Sequence, residues 1–195
     1  MRMLITGFNP FGKVEVNPSQ LIVQRLAESR PDLLTLVLPT EYHAAADKIC
    51  AALNVWRPDA VISLGVAQNR AVIGLERIAV NVDDASIPDN GDVLKTGDLI
   101  EAEGPIAYWS TLPLTAMLAA LLERGIPAAI SNHAGTFVCN HVFYTARHWV
   151  EQRGLNIPCG FIHVPGLSKT EGDVTTGMPL EQMVEAVEIC LELLA

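Results

Sequence analysis

The chain has 195 residues, with 13 Lys and Arg against 22 Asp and Glu for a formal net charge of −9, and half of its residues are apolar. The few cations are scattered, which excludes a nucleic-acid partner, because such binding needs clustered Lys and Arg that displace counterions. With only 18% charged residues, it is not an intrinsically disordered chain either. The length suits one domain spanning 1–195, able to bury roughly 70% of the surface its unfolded chain exposes.

The longest uncharged apolar stretch, residues 112–122, contains Pro113 and Thr115 and falls short of the ~20 residues of a membrane span, so no membrane partner is expected. Met3-Leu4-Ile5 is too short for the apolar segment of a secretory leader, which needs about 7 residues or more, and a cytoplasmic location is expected. Cys50, Cys139, Cys159 and Cys190 lie far apart without CxxC spacing, which points to reduced thiols rather than a disulfide scaffold or a zinc knuckle.

Short apolar runs alternate with amphipathic stretches, the pattern of an α/β fold with helices on both faces of a largely parallel sheet. Residues 3–6 form a first strand. Asn17-Pro18-Ser19-Gln20 starts a helix running to about Ser29, with Asn17 as N-cap, Pro18 at the first helical position and Gln20 placed to close a capping box. A second strand covers 33–38. Ala46, Ile49, Leu53 and Trp56 recur at helical spacing before Pro58 stops the pattern, and 60–64 is a third, buried strand ending at Gly65.

Residues 70–82 read as a further extended segment directly after the third strand, so an antiparallel or edge strand is expected there. Residues 83–110 are rich in Asp, Gly and Pro and predict a long functional loop. Beyond it come a helix over 114–124, a strand over 128–131, a helix over 138–152 and a strand over 159–164. A last helix starts at Pro179, with Leu180, Met183, Val184, Val187, Leu191 and Leu194 on one face.

Cys139 stands at the strand-to-helix junction that follows Ala134-Gly135-Thr136-Phe137-Val138. Unpaired N–H groups and the positive end of the helix dipole favour a thiolate there and could hold an oxyanion. The competing reading is a small core residue, since Cys139, Phe143 and Ala146 share helical spacing. His163 ends a buried strand, where α/β sites gather, and is a candidate base. His133 precedes the turn and is a rival; His141 lies about 200° around the helix from Cys139 and is poorly placed to reach it. Glu76, in an apolar strand, needs either an outward cation or an inward imidazole, and strand alternation sets it opposite to Arg77.

Six motifs carry a resemblance. Thr6-Gly7-Phe8-Asn9-Pro10-Phe11-Gly12, Asn17-Pro18-Ser19, Glu76-Arg77-Ile78-Ala79-Val80-Asn81, Ile87-Pro88-Asp89-Asn90, Ala134-Gly135-Thr136-Phe137-Val138-Cys139-Asn140-His141 and Phe161-Ile162-His163-Val164-Pro165 together closely resemble the pyroglutamyl peptidase I family. The resemblance implies a three-layer α/β/α sandwich around a mixed, largely parallel sheet, assembled into dimers or tetramers, with no metal or organic cofactor. It implies a cysteine omega-peptidase that acts on N-terminally pyroglutamylated peptides through a thioester. The nucleophile then falls on Cys139, the base on His163 and the orienting acid on Glu76, with Phe8, Phe11, Asn17 and Phe137 binding the ring.

These residue types suit a neutral lactam, which two phenyl rings can cover and a few hydrogen bonds can select against proline. Ordinary core packing is the competing reading for Phe8 and Phe11. The chain departs from many relatives at Gly65-Val66-Ala67-Gln68-Asn69-Arg70, where Gly-Gln-Ala-Gly-Gly-Arg is common, and at Ser86, where an Arg is common. These departures bear on efficiency rather than reaction class. The alternatives are a thiol amidase of altered acyl specificity on the same scaffold, and a metal-binding module using His133, Cys139 and His141, whose spacing matches no standard zinc motif.

Overall fold

Residues 1–12, 14–171 and 174–194 are described by the computed structural model. In chain order the elements are β1 (Met3–Phe8), α1 (Pro18–Ser29), β2 (Leu34–Leu38), α2 (Tyr42–Trp56), β3 (Ala60–Val66), β4 (Ile73–Val80), β5 (Asp83–Asp84), β6 (Thr96–Asp98), β7 (Ala107–Trp109), α3 (Leu114–Glu123), β8 (Ala128–His133), α4 (Val138–Gln152), β9 (Cys159–Val164), β10 (Lys169–Glu171), β11 (Val174–Thr176) and α5 (Leu180–Glu192). Seven of these strands form the main sheet in the order β2-β1-β3-β9-β4-β7, with β8 also paired to β4. Pairing is parallel except where β4 runs against β9 and β7.

Strand alternation divides the apolar side chains into two cores and so builds three layers. Met3, Ile5, Ile62, Leu64, Ile73, Leu75, Ile162 and Val164 face α1, α3 and α5. Leu4, Phe8, Val61, Cys159 and Phe161 face α2 and α4. Ile62, Leu64 and Ile162 are wholly buried, and each such side chain contributes about 1.5–3 kcal/mol of burial free energy. The two-sided burial explains the near-continuous apolar runs of the central strands.

The helix starts and stops follow from local chemistry. Asn17 caps α1 with Pro18 in its first turn, its Oδ1 accepting from the Ser19 N–H and hydroxyl at 3.0 and 2.8 Å, while among the described residues the Gln20 side chain makes no capping-box bond. Arg57, at φ 45° before Pro58, ends α2 in the left-handed region.

One expectation is narrowed and one corrected. The segment after β3 runs antiparallel to β9 and β7, the first of its two expected forms, but it pairs parallel with β8 on its other side and so is interior rather than an edge strand. The stretch 83–110 is not a continuous loop. It holds the small β5–β6 pair, and β7 joins the main sheet through Ile78↔Trp109 and its neighbours. Strands of two and three residues leave no period for the sequence to display. The β10–β11 hairpin escaped notice for the same reason.

Candidate active site

The parity that divides the cores also selects the site. On β9, Cys159, Phe161 and His163 share the α4 face, while Ile162 and Val164 take the other. On β4, Ile73 and Leu75 face away from α4, so Gly74 and Glu76 face toward it. Register sets Gly74 opposite His163 and Glu76 opposite Phe161, which makes Glu76 and His163 diagonal neighbours across the antiparallel seam. His163 Nδ1 and Glu76 Oε1 are 2.8 Å apart, and both side chains are buried. Glu76 therefore satisfies the sequence-level requirement for an inward imidazole, and Arg77, on the opposite face, bonds Asn132 instead at 2.8 Å.

Cys139 enters from the first turn of α4. Gly65 on β3, the register partner of His163, gives it room: a Cβ built there would lie 2.8 Å from Cys139 Sγ and 2.8 Å from Phe161 Cζ. The sulfur thus lies against the end of β3, one strand from the imidazole. Gly135, at φ +83°, makes the turn into the helix, and no side chain caps the N–H groups of the first turn. Those donors stand free for an oxyanion.

Two opposing influences act on the thiol. Burial pushes the Cys139 thiol up to about 12, the Glu76 charge pushes in the same direction, and the bond to its own backbone only partly opposes them. Desolvation of the charged form thus opposes the helix start, which favours it. Glu76 goes the other way. Burial raises its carboxyl, but the hydrogen bond and charge of His163, the Ser131 hydroxyl and the Arg70 charge together hold it below the ordinary range.

The two rival histidines have other partners. His141 Nδ1 lies 2.7 Å from Asp83 Oδ2, a second buried imidazole–carboxylate pair. His133 Nδ1 accepts the Gly135 N–H at 3.1 Å, which serves the turn. Among the described residues no three His, Cys, Asp or Glu are grouped as metal ligands.

The four ring-binding candidates are not equivalent. Phe11 and Asn17 line a cavity of about 680 Å³, with Val66, Gln68, Ile87 and Asn90 among its other walls. Phe137 packs edge-on against Phe11 at 5.1 Å and against Tyr42 at 5.5 Å, so it supports the ring that lines the cavity. Phe8 lies deeper, 2% exposed and 6.5 Å from Phe161. Asn17 spends its oxygen on the α1 cap and gives one amide proton to the Asn9 carbonyl at 3.0 Å. Val66 and Gln68, which depart from the common pattern, are cavity walls, and a second cavity of about 560 Å³ shares them.

Two features escaped the sequence reading. Arg70 Nη1 bonds Glu76 Oε1 at 2.8 Å, and the sequence offers only the polarity of the 66–70 turn as a hint. Asn140, next to the thiol, ties α4 to the end of β4: its Oδ1 accepts from Val80 N–H at 2.9 Å, and its Nδ2 donates to the Val80 and Val82 carbonyls at 2.9 and 3.1 Å.

A thiol at a helix start beside a buried imidazole–carboxylate pair, on an α/β/α sandwich, has the constitution of a cysteine hydrolase. The pyroglutamyl peptidase family model matches residues 1–195. A pyrrolidone-carboxylate peptidase of Bacillus licheniformis is 43% identical over 192 residues, covering 96% of this chain and 89% of that protein. One from Thermoanaerobacter sp. is 38% identical over 199 residues, covering 100% and 98%. Among solved structures, pyrrolidone carboxyl peptidase of Pyrococcus furiosus superposes with a TM-score of 0.92 at 38% identity, covering 100% of this chain and 98% of that one. Pyroglutamyl peptidase I of Bacillus amyloliquefaciens gives 0.88 at 36%, covering 97% and 94%. The chain belongs to the pyroglutamyl peptidase family.

Proposed function

We propose that the chain acts as a single catalytic domain, residues 1–195, that removes an N-terminal pyroglutamyl residue from peptides. The observation that carries this reading is the 2.8 Å pair of His163 and Glu76, on the sheet face that also meets the Cys139 sulfur, in a chain of this family. His163 takes the thiol proton as the sulfur attacks the pyroglutamyl carbonyl, because a thiol held near 12 needs a base at the moment of reaction. N–H groups of the α4 first turn hold the oxyanion. The tetrahedral intermediate collapses, the C–N bond breaks and the imidazolium gives its proton to the leaving amine. Water, deprotonated by His163, then hydrolyses the thioester. Glu76 keeps Nδ1 as the protonated nitrogen and supports the imidazolium.

The lactam ring is assigned to the Phe11 cavity, with Asn17 at its wall and Phe137 behind Phe11; Phe8 contributes through packing. No metal or organic cofactor enters this scheme. The test compares pyroglutamyl, prolyl and glutamyl reporter amides. Release confined to the pyroglutamyl amide is expected, and comparable rates on all three would overturn the assignment in favour of a thiol amidase of broader acyl choice.

The same reading includes a cytoplasmic homo-oligomer, a dimer or tetramer. Ile106 (89% exposed) and Trp109 (64%), on and beside the edge strand β7, supply apolar surface for such a contact. Sedimentation velocity tests it, with a sole monomer species as the adverse result. No helix among the described residues is long and apolar enough to cross a membrane.

A further inference from the structure

We propose that Arg70 is a positioning residue for the reaction, acting through Glu76; the inference rests on the Cys139–His163–Glu76 reading above. Arg70 Nη1 and His163 Nδ1 both lie 2.8 Å from the same carboxylate oxygen, Oε1. The other oxygen, Oε2, is buried and has no hydrogen-bond partner among the described residues. The two shortest contacts of the carboxylate thus converge on one oxygen, with the Ser131 hydroxyl a further neighbour. Removing Arg70 takes away its only cationic partner, among the described residues, besides the imidazole.

The approach of Arg70 is built into the sheet. Gly74 stands opposite His163 on the seam, and a Cβ added there would come within 2.8 Å of Arg70 Nη1. The absent side chain is the passage through which the guanidinium reaches a carboxylate of zero exposure, while the Arg70 side chain itself stays 39% exposed. The Arg70 N–H bonds the Ala67 carbonyl at 3.0 Å, so the turn after β3 aims the side chain back at the sheet.

The charged and titratable groups that face Glu76 are His163 from β9, Arg70 from the β3–β4 turn and Cys139 from α4, with the Ser131 hydroxyl on β8. Arg77 is on the other face. With Arg70 present, a proton arriving on the imidazole meets a carboxylate whose charge is already compensated. Without it, the same proton lands beside an uncompensated carboxylate and is held more firmly. Arg70 therefore extends the working range of the base toward acid.

The experiment measures kcat and KM against pH for a pyroglutamyl reporter amide in wild type, Arg70→Met, Arg70→Gln and Arg70→Lys, with Cys139→Ser as control and near-UV circular dichroism to confirm folding. In Arg70→Met and Arg70→Gln the acid limb of kcat/KM moves up by about half a pH unit or more, and kcat at the plateau falls roughly fivefold with KM nearly unchanged. Arg70→Lys keeps the wild-type limb. A limb that coincides with wild type in folded Arg70→Met and Arg70→Gln, with Cys139→Ser inactive, overturns the role of Arg70 and leaves the thiol mechanism standing. Activity in Cys139→Ser overturns the mechanism itself.

Discussion

His163 and Glu76 meet across the antiparallel seam between β9 and β4, diagonal in register, with Nδ1 and Oε1 2.8 Å apart. A parallel sheet throughout would have no such seam, and reversing β4 is what brings a mid-strand carboxylate to a strand-end imidazole. The pair acts as one unit, which gives the first prediction. Cys139→Ser and His163→Ala are expected to lower kcat by roughly a thousandfold or more on a pyroglutamyl amide, and Glu76→Gln by about ten- to a hundredfold. Full activity in either of the first two variants would end the proposed mechanism.

The second prediction concerns the space behind the sulfur. Gly65→Ala puts a Cβ within 2.8 Å of both Cys139 Sγ and Phe161 Cζ, and Phe161, wholly buried, cannot retreat without cost. Activity is expected to fall by about tenfold or more, with stability reduced by roughly 1–3 kcal/mol from overpacking. Steady-state kinetics and urea unfolding read the two effects separately, and unchanged kcat/KM would contradict the placement of the sulfur.

The phenylalanines divide into a packing residue and a binding residue. Phe8→Ala empties a wholly enclosed site and is expected to cost about 3–5 kcal/mol of stability. Phe11→Ala strips a cavity wall, so KM should rise with a smaller change in unfolding midpoint. If Phe8→Ala were the variant with native stability and raised KM, the two assignments would be reversed.

Stability should fall at both ends of the pH scale for identifiable reasons. Glu76 is held below its ordinary 4.5, so the native state binds this proton more weakly than the unfolded state. Its stabilising contribution is complete above about that pH and is lost as pH falls through the depressed value. Glu76→Gln should flatten that acid slope in urea unfolding. At the alkaline end, burial raises Cys190 from 9.0 to about 12, so its contribution is complete below 9.0 and declines as pH rises toward 12. Cys190→Ala should be less stable at neutral pH, through the small void it leaves, and less sensitive to alkali. Identical alkaline slopes in the two proteins would contradict the burial of that thiol.

Cys139, His163 and Glu76 are candidates in the sequence by their places at a helix start, a strand end and an apolar strand interior, with His133 a rival and core packing an alternative; the resemblance of the six motifs is what singles them out. Arg70 is not among them. It lies six residues before Glu76 and reaches it only because the intervening turn folds back and Gly74 leaves a gap, neither of which a period reveals. The Asp83–His141 pair spans 58 residues, a separation that only the docking of α4 on the β4 end closes. The main strands were legible because two-faced burial demands long apolar runs. β7, three residues long in a stretch of Asp, Gly and Pro, carries no such demand.

The raised thiol of Cys139 has a consequence for the life of the protein between turnovers. Thiolates attack peroxides and disulfides, and the burial that raises the Cys139 thiol disfavours that form at rest. Oxidation to sulfenic acid is slowed accordingly. The same burial that calls for a base during reaction also restrains the thiolate between turnovers.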